Sequence, residues 1–268
     1  MRIMILVLTS MILFSCASQE KGSPEMTKRM LKVRGYDFSE EELWRAIRQS
    51  DTLAVRGFFE AGINPNIKNS RGETALTYAI VNSNDKTVKA IAEVADINML
   101  DELGQAPLHL ALSNQKEEIF RFLLEKGADV NLGGSKGKLR NQTVLHLAVV
   151  RGREDLVREL LERGADPNLA DSEGGLTLTE ACIGANVNPN IVRMLIEKGA
   201  DVNLAEGNGV TALMYIAENK KAPAEVKKQI AKMLLDAGAD KAKRDKKGKS
   251  ALDWALESKN QEVAELLR

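Results

Sequence analysis

Cysteine is almost missing from this chain, which carries only Cys16 and Cys182 in 268 residues. Cys16 follows an N-terminal apolar run, so a chain that processes or modifies it keeps one thiol and no internal disulfide. Its core must then be held by apolar packing, for which 44% apolar residues suffice. Histidine is equally scarce, at His109 and His146. With no cysteine cluster beside them, the sequence points to no metal and no cofactor. Charge of one sign is also lacking: 38 basic against 38 acidic residues, and minus one once Arg2 leaves with a leader. That balance removes any global electrostatic case for binding nucleic acid. No phosphate loop and no nucleophile-elbow serine is present, and the glycine-rich Gly133–Lys138 segment lacks the phosphate-loop spacing. Aromatics make up only 4% of the chain, so single aromatic residues become informative.

What is present begins with a leader pattern. Arg2 is followed by an apolar run from Ile3 to Phe14, interrupted only by Thr9 and Ser10, and then by Ser15 and Cys16. The run is too short to span a bilayer and reads as a secretory signal over residues 1–15. Leu13-Phe14-Ser15-Cys16 resembles the bacterial lipobox, which implies lipidation of Cys16; Ala17 and Ser18 after it, in place of an aspartate, imply the periplasmic face of the outer membrane. A plain secretory signal or an uncleaved anchor are the alternatives. Residues 16–38 then read as a tether, with a short helix over Met26–Val33. If flexible, some twenty residues reach roughly 25 Å.

The rest of the chain is periodic. Gly127-Ala128-Asp129-Val130-Asn131, Gly164-Ala165-Asp166-Pro167-Asn168 and Gly199-Ala200-Asp201-Val202-Asn203 repeat one phrase, clipped at Gly238-Ala239-Asp240, at intervals of 35 to 39 residues. Weaker copies end at Asn66 and Asn98. Within one unit, Leu145, Ala148 and Val149 form a first helical stripe, and Leu156, Val157, Leu160 and Leu161 form a second. Gly164 falls where a left-handed residue ends the second helix, and the following Asp-x-Asn favours a turn. Ser39, Glu42, Phe38 and Leu43 predict an N-terminal capping box and hydrophobic staple, so the domain is expected to start there and to fill 39–268 with seven helix pairs.

Ala106-Pro107-Leu108-His109-Leu110-Ala111 and Thr143-Val144-Leu145-His146-Leu147-Ala148 match the Thr-Pro-Leu-His-x-Ala signature, so these units resemble ankyrin repeats. The resemblance implies an all-α solenoid of about seven helix-turn-helix repeats joined by β-hairpin loops, with hairpins and first helices lining a concave binding face. It implies a non-enzymatic module that binds a protein, with no small-molecule substrate and with the membrane met only through the N-terminal lipid. Three readings stay open: inhibition of a toxin, as by an immunity protein; a periplasmic scaffold stabilising a resident enzyme; and an undetected hydrolase built on surface carboxylates.

The histidines take equivalent places in consecutive repeats, where Thr77, Thr179, Met214 and Asp253 stand elsewhere, which favours a structural role. Cys182 aligns beside a core alanine and reads as a small buried side chain. In this family the residue after that histidine is commonly a half-buried aliphatic beside the concave face, as Leu110 and Leu147 are here. Tyr78, Tyr215 and Trp254 put an exposed aromatic there and Glu180 an acid, which makes this row the candidate partner surface; better packing between helices is the competing explanation. The long hairpin with Lys136, Lys138 and Arg140 is a further candidate. The insertion Asn219–Glu225 is expected at the opposite edge, away from that partner. The last hairpin, from Lys241 to Lys249, is strongly basic, with Lys220, Lys221, Lys227 and Lys228 expected nearby, and fits either a solvated cap or a docking site for an acidic protein surface or anionic envelope polymer.

Overall fold

The computed structural model describes residues 23–133, 142–185 and 187–268. The expected leader, Cys16, Lys136, Lys138 and Arg140 lie outside them. The described residues are helical, and their extended pairing is confined to isolated antiparallel bridges. Helix α1 (Pro24–Val33) precedes seven pairs. These are α2 (Glu40–Arg48) with α3 (Thr52–Glu60), α4 (Ala75–Asn82) with α5 (Asp85–Ala92), α6 (Pro107–Ser113) with α7 (Glu117–Glu125), and α8 (Val144–Val150) with α9 (Glu154–Glu162). They continue as α10 (Thr177–Glu180) with α11 (Pro189–Glu197), α12 (Ala212–Glu218) with α13 (Ala224–Asp236), and α14 (Ala251–Glu257) with α15 (Gln261–Leu267).

Most first helices start on a side-chain hydroxyl that takes up an otherwise unpaired backbone donor. Thr74, Thr143, Thr211 and Ser250 accept from the N–H groups of Thr77, His146, Met214 and Asp253. Second helices bury one stripe: Leu156, Val157, Leu160 and Leu161 of α9 are all nearly or fully inaccessible. First helices stack on first helices from α2·α4 to α12·α14, and second on second from α3·α5 to α5·α7 and again from α9·α11 to α13·α15. The result is one apolar cluster running from Leu31 to Leu267 rather than a centred core.

The recurring Asp-x-Asn phrase is the seam between repeats. Each aspartate carboxylate accepts from the N–H two residues on, as Asp129 does from Asn131 and Asp166 from Asn168, both at 2.8 Å. Each asparagine then reaches forward: Asn66, Asn98, Asn131, Asn168 and Asn203 accept the N–H of Asp96, Asp129, Asp166, Asp201 and Asp240 at 2.7–2.9 Å. Asn131, Asn168 and Asn203 also donate to the carbonyls of Gly164, Gly199 and Gly238. One side chain thus satisfies two backbone groups of its neighbour, which fixes the register of the stack.

The hairpins between repeats are tight. Asp171 and Asp245 each accept two loop N–H groups, and single bridges such as Arg244↔Ser250 close the loops. Neighbouring hairpins touch through backbone, with Lys246 N–H donating to Asn208 O at 3.0 Å. Gly209, at φ +82°, stands where a Cβ would sit 3.1 Å from Asp245 Cα, so both its backbone and its neighbour require glycine.

The expected boundary at residue 38 moves upstream. Helix α1 packs against α3, burying Leu31 to 1% exposure and Thr27 to 4% over Gly57. Arg34 grips Asp51 with two bonds of 2.7 and 2.9 Å, and the Tyr36 hydroxyl donates to Gln49. Residues 24–38 therefore belong to the repeat body and are not a tether. The segment showed little periodicity because Met26, Met30 and Val33 stay exposed. At Ser39 only half the expected box forms: its hydroxyl accepts from Glu42 N–H, but its own N–H goes to Asp37 O and the Glu42 carboxylate pairs with Arg45. Phe38 stacks on Phe58, with the Lys28 ammonium over its ring.

Candidate functional site

The row of candidate side chains is set by a constant offset from the hairpins. Asn69, Asp101, Asp171, Glu206 and Asp245 lie nine residues before Tyr78, Leu110, Glu180, Tyr215 and Trp254. Where the later residue is a half-buried aromatic with a polar tip, the tip bonds the earlier one. Trp254 Nε1–H donates to Asp245 Oδ2 at 3.1 Å, and the Tyr215 hydroxyl donates to Glu206 Oε2 at 2.5 Å. The other oxygen of Glu206 accepts from Thr179 at 2.6 Å, so a side chain one methylene longer than aspartate ties the fifth repeat to the sixth. Burial, and then this bond to an acidic neighbour, push the Tyr215 phenol up to about 12. Both rings are thereby held in one orientation before any partner arrives.

The row is not uniformly accessible. Tyr78, expected as an exposed aromatic, is only 6% exposed and meets Trp44 edge-on at 5.5 Å. Trp44 of the first repeat provides packing that no later first helix supplies, so Tyr78 joins the core. Leu110 is buried as well, at 8%. Leu147, Glu180, Tyr215 and Trp254 are half-buried and remain on the face. Three residues further along the chain, Val81 and Val150 on the same helices and Ile183 in the turn after α10 stand 45–58% exposed beside this row. Sequence reading missed them, although their i+3 spacing from Tyr78, Leu147 and Glu180 was the available signal.

The fifth repeat is irregular. Helix α10 lasts one turn before Gly184, and Asn219 of the next repeat donates to Cys182 O and Gly184 O at 3.0 and 2.8 Å, replacing the missing helical donors. The same Asn219 accepts from Lys221 and Ala222, so the inserted loop is fixed. As expected, Lys220 of this insertion lies near the basic last hairpin, but the cleft of about 290 Å³ that it shares with Lys247, Lys249, Glu218, Glu257 and Ser258 also includes Trp254 of the candidate row. A seven-residue helix such as α14 is about 10 Å long, so lysines from its two edges converge over it. A larger depression, about 540 Å³, lies between the third and fourth repeats. Its charged walls are already engaged: Arg153 holds Glu117, Arg151 bonds Leu112 O, and Lys116 bonds Ser83 O.

Neither histidine is placed for catalysis. His146 Nε2 faces Gly175 O at 3.4 Å, and its Nδ1 accepts from Thr143 N–H at 3.3 Å. His109 Nε2 bonds Gln142 O at 2.5 Å, while its buried Nδ1 has no partner. Burial lowers both, His109 to about 4, and they are held neutral. Cys182 is fully buried and its thiol is pushed up to about 12, which removes its nucleophilic form. Among the described residues no group of three or more His, Cys, Asp or Glu is placed to hold a metal ion, and no helix is long and apolar enough to cross a membrane.

Comparison with known proteins agrees with this architecture. A family model described as "Ankyrin repeats (3 copies)" matches residues 13–134, 93–171, 132–206 and 178–268. The chain is 32% identical over 120 residues to protein phosphatase 1 regulatory subunit 27 of Mus musculus, covering 44% of this chain and 78% of that one. It is also 32% identical over 115 residues to a putative ankyrin repeat-containing protein of Treponema pallidum, covering 42% of this chain and 39% of that one. The crystal structure of EF0377, an ankyrin repeat protein, superposes with a TM-score of 0.61 at 27% identity, covering 75% of this chain and 98% of that one.

Proposed function

Because this chain belongs to the ankyrin-repeat family, whose repeats mark a protein-interaction module, we propose that it is a non-enzymatic binder whose partner protein lies along the face of first helices and hairpins. The observation that carries this reading is the contrast on that face. Hairpins, caps and the Asn seam are locked by backbone-directed bonds, whereas Leu147, Val150, Glu180, Ile183, Tyr215 and Trp254 differ in kind from repeat to repeat and stay accessible. A rigid frame presenting varied side chains loses little freedom on binding, so more of the contact energy becomes affinity.

The proposal includes anchorage: residues 1–15 act as a leader, Cys16 carries lipid, and the repeat body from about residue 24 is displayed in a bacterial envelope, on the periplasmic face of the outer membrane. The lipobox-like Leu13-Phe14-Ser15-Cys16 supports it. Fatty-acid labelling of the expressed chain, lost in Cys16→Ala, tests this part; label retained by the variant overturns it.

Affinity capture from envelope extract with the full chain, beside a Tyr215→Ala, Trp254→Ala, Val150→Asp variant of unchanged helicity, tests the binding face. A protein held by the parent and released by the folded variant establishes the face. Equal capture by both overturns that placement. A captured toxin neutralised at stoichiometric ratio supports an inhibitor, and a captured resident enzyme that declines when the gene is deleted supports a scaffold.

A further inference from the structure

The cleft around Trp254 brings together parts that lie far apart in sequence. Lys220 comes from the inserted loop after α12, Lys247 and Lys249 from the last hairpin, and Trp254, Glu257 and Ser258 from α14. Its cations are unequally engaged. Lys249 is paired with Glu257 at 2.6 Å and hence neutralised locally. Lys220 and Lys247 are exposed, and their ammonium groups take part in none of the ion pairs around them. The surrounding hairpin adds Lys241 and Lys246, both exposed. Trp254 supplies an apolar surface at the centre, and its indole N–H is already held by Asp245, so it needs no polar partner from a ligand.

We propose that this cleft is a docking pocket for an acidic peptide segment of the protein partner, one that alternates carboxylate and apolar side chains. The proposal rests on the protein-binding reading above and names the chemistry of part of that surface. Carboxylates on the segment meet Lys220 and Lys247 across the cleft while an apolar residue between them packs on Trp254. The occupant is a peptide and not a uniform polyanion because Glu218 and Glu257 also line the cleft. The Glu218 carboxylate repels a chain charged at every unit but accepts a backbone N–H of a peptide, and Glu257, by neutralising Lys249, leaves fewer cations for such a chain.

The support holding the lysines apart is rigid. Asn219 pins the loop bearing Lys220 by accepting from Lys221 and Ala222 N–H, and Asp245 pins the hairpin by accepting from Lys247 and Lys249 N–H. The backbone contact between Gly209 and the Asp245–Lys246 peptide then seats this hairpin on the sixth repeat. Two free cations on fixed backbone flanking one aromatic ring form a preorganised recognition element, not merely a solvated face.

Trp254 provides its own probe, since Trp44 is the only other tryptophan. In the full chain carrying Trp44→Phe, titration with a synthetic decapeptide alternating Glu and Leu is expected to shift the Trp254 emission. Affinity is expected to fall steeply between about 0.1 and about 1 M salt. Lys220→Ala with Lys247→Ala should weaken binding roughly tenfold, and Lys220→Glu with Lys247→Glu should transfer preference to the Lys/Leu decapeptide. Both positions are exposed, so unchanged helicity is expected and is checked for each variant. Equal binding by the double variant, equal binding of a Gln/Leu decapeptide, or tighter binding of polyphosphate than of the Glu/Leu peptide each overturns the proposal. Capture of a partner by the parent and by the Lys220→Ala, Lys247→Ala variant alike defeats this pocket while leaving the binding function standing. Peptide binding without any captured partner supports the pocket and counts against the broader reading.

Discussion

The third and fourth repeats carry the same Leu-His-Leu-Ala motif, yet their histidines live differently. In the fourth, Thr143 gives His146 Nδ1 an N–H at 3.3 Å and a hydroxyl at 2.9 Å, and the capping arrangement is reciprocal. In the third, position 106 is alanine, no side chain caps α6, and His109 Nδ1 is buried without a partner. The one retained bond, from Nε2 to Gln142 O, ties the third repeat to the fourth, so His109 acts across the seam. A buried acceptor left unpaired costs roughly 1–3 kcal/mol. A motif shared letter for letter therefore does not ensure a shared energy, because the residue three places earlier decides whether the ring is satisfied.

The largest expected effect of this difference is on acid stability. Burial puts His109 at about 4 in the folded chain against its ordinary value of 6.5. The unfolded chain takes up the proton first, so stability is untouched above about pH 6.5 and falls as pH drops toward 4, by about 3 kcal/mol in full. His146, also lowered by burial, adds loss in the same direction. In urea unfolding at pH 7 and pH 4.5, His109→Thr should lose much less midpoint on acidification than the parent, since Thr77 and Thr179 already fill the equivalent place. An equal loss in both means that His109 does not set the acid response.

Thr143→Ala converts the fourth repeat into a copy of the third. It removes a cap and orphans His146 Nδ1 together, so about 2 kcal/mol of destabilisation is expected in the same unfolding experiment. The converse change, Ala106→Thr, supplies His109 with the hydroxyl that His146 enjoys and should stabilise by about 1 kcal/mol. If it destabilises instead, Pro107 at the first turn of α6 holds a backbone that the threonine side chain does not fit, and the two repeats differ in geometry as well as in chemistry.

Much of the architecture was legible because it rests on local patterns. The apolar stripes of α8 and α9, the hydroxyls that start most first helices, and the Asp-x-Asn phrase all act within a few residues or one repeat away. What escaped depended on contacts between distant segments. The helix over Met26–Val33 was expected, but its docking on α3 through a buried leucine and the Arg34–Asp51 pair is not announced by its own composition. Tyr78 looked like an exposed anchor because nothing in its own repeat shows that Trp44 covers it. The nearness of Lys220 to the basic last hairpin was legible, but its place beside Trp254 was not, because a helix of seven residues is shorter than the combined reach of two lysines. The accessible Val81 and Val150 were readable from helical spacing and were overlooked in favour of larger side chains.

The seam offers the finest comparison of the two repeats. Asn98, leaving the second repeat for the third, accepts from Asp129 N–H at 2.9 Å, and its amide makes no bond to the carbonyl of Gly127. Asn131, leaving the third for the fourth, accepts from Asp166 N–H at 2.8 Å and also donates to Gly164 O at 3.1 Å. Alanine at either place unpairs one backbone N–H, but only Asn131→Ala also leaves a carbonyl without its donor. Both sites are partly exposed, so water recovers part of each loss, and the extra cost of Asn131→Ala over Asn98→Ala should be only about 0.5 kcal/mol. Amide hydrogen exchange resolves the matter residue by residue. Exchange at Asp166 and at Asp129 should accelerate in the respective variants, whereas loosening of the Gly164 turn should follow Asn131→Ala alone. If both variants loosen their turns equally, the second bond contributes nothing, and the seam is held by the aspartate N–H alone.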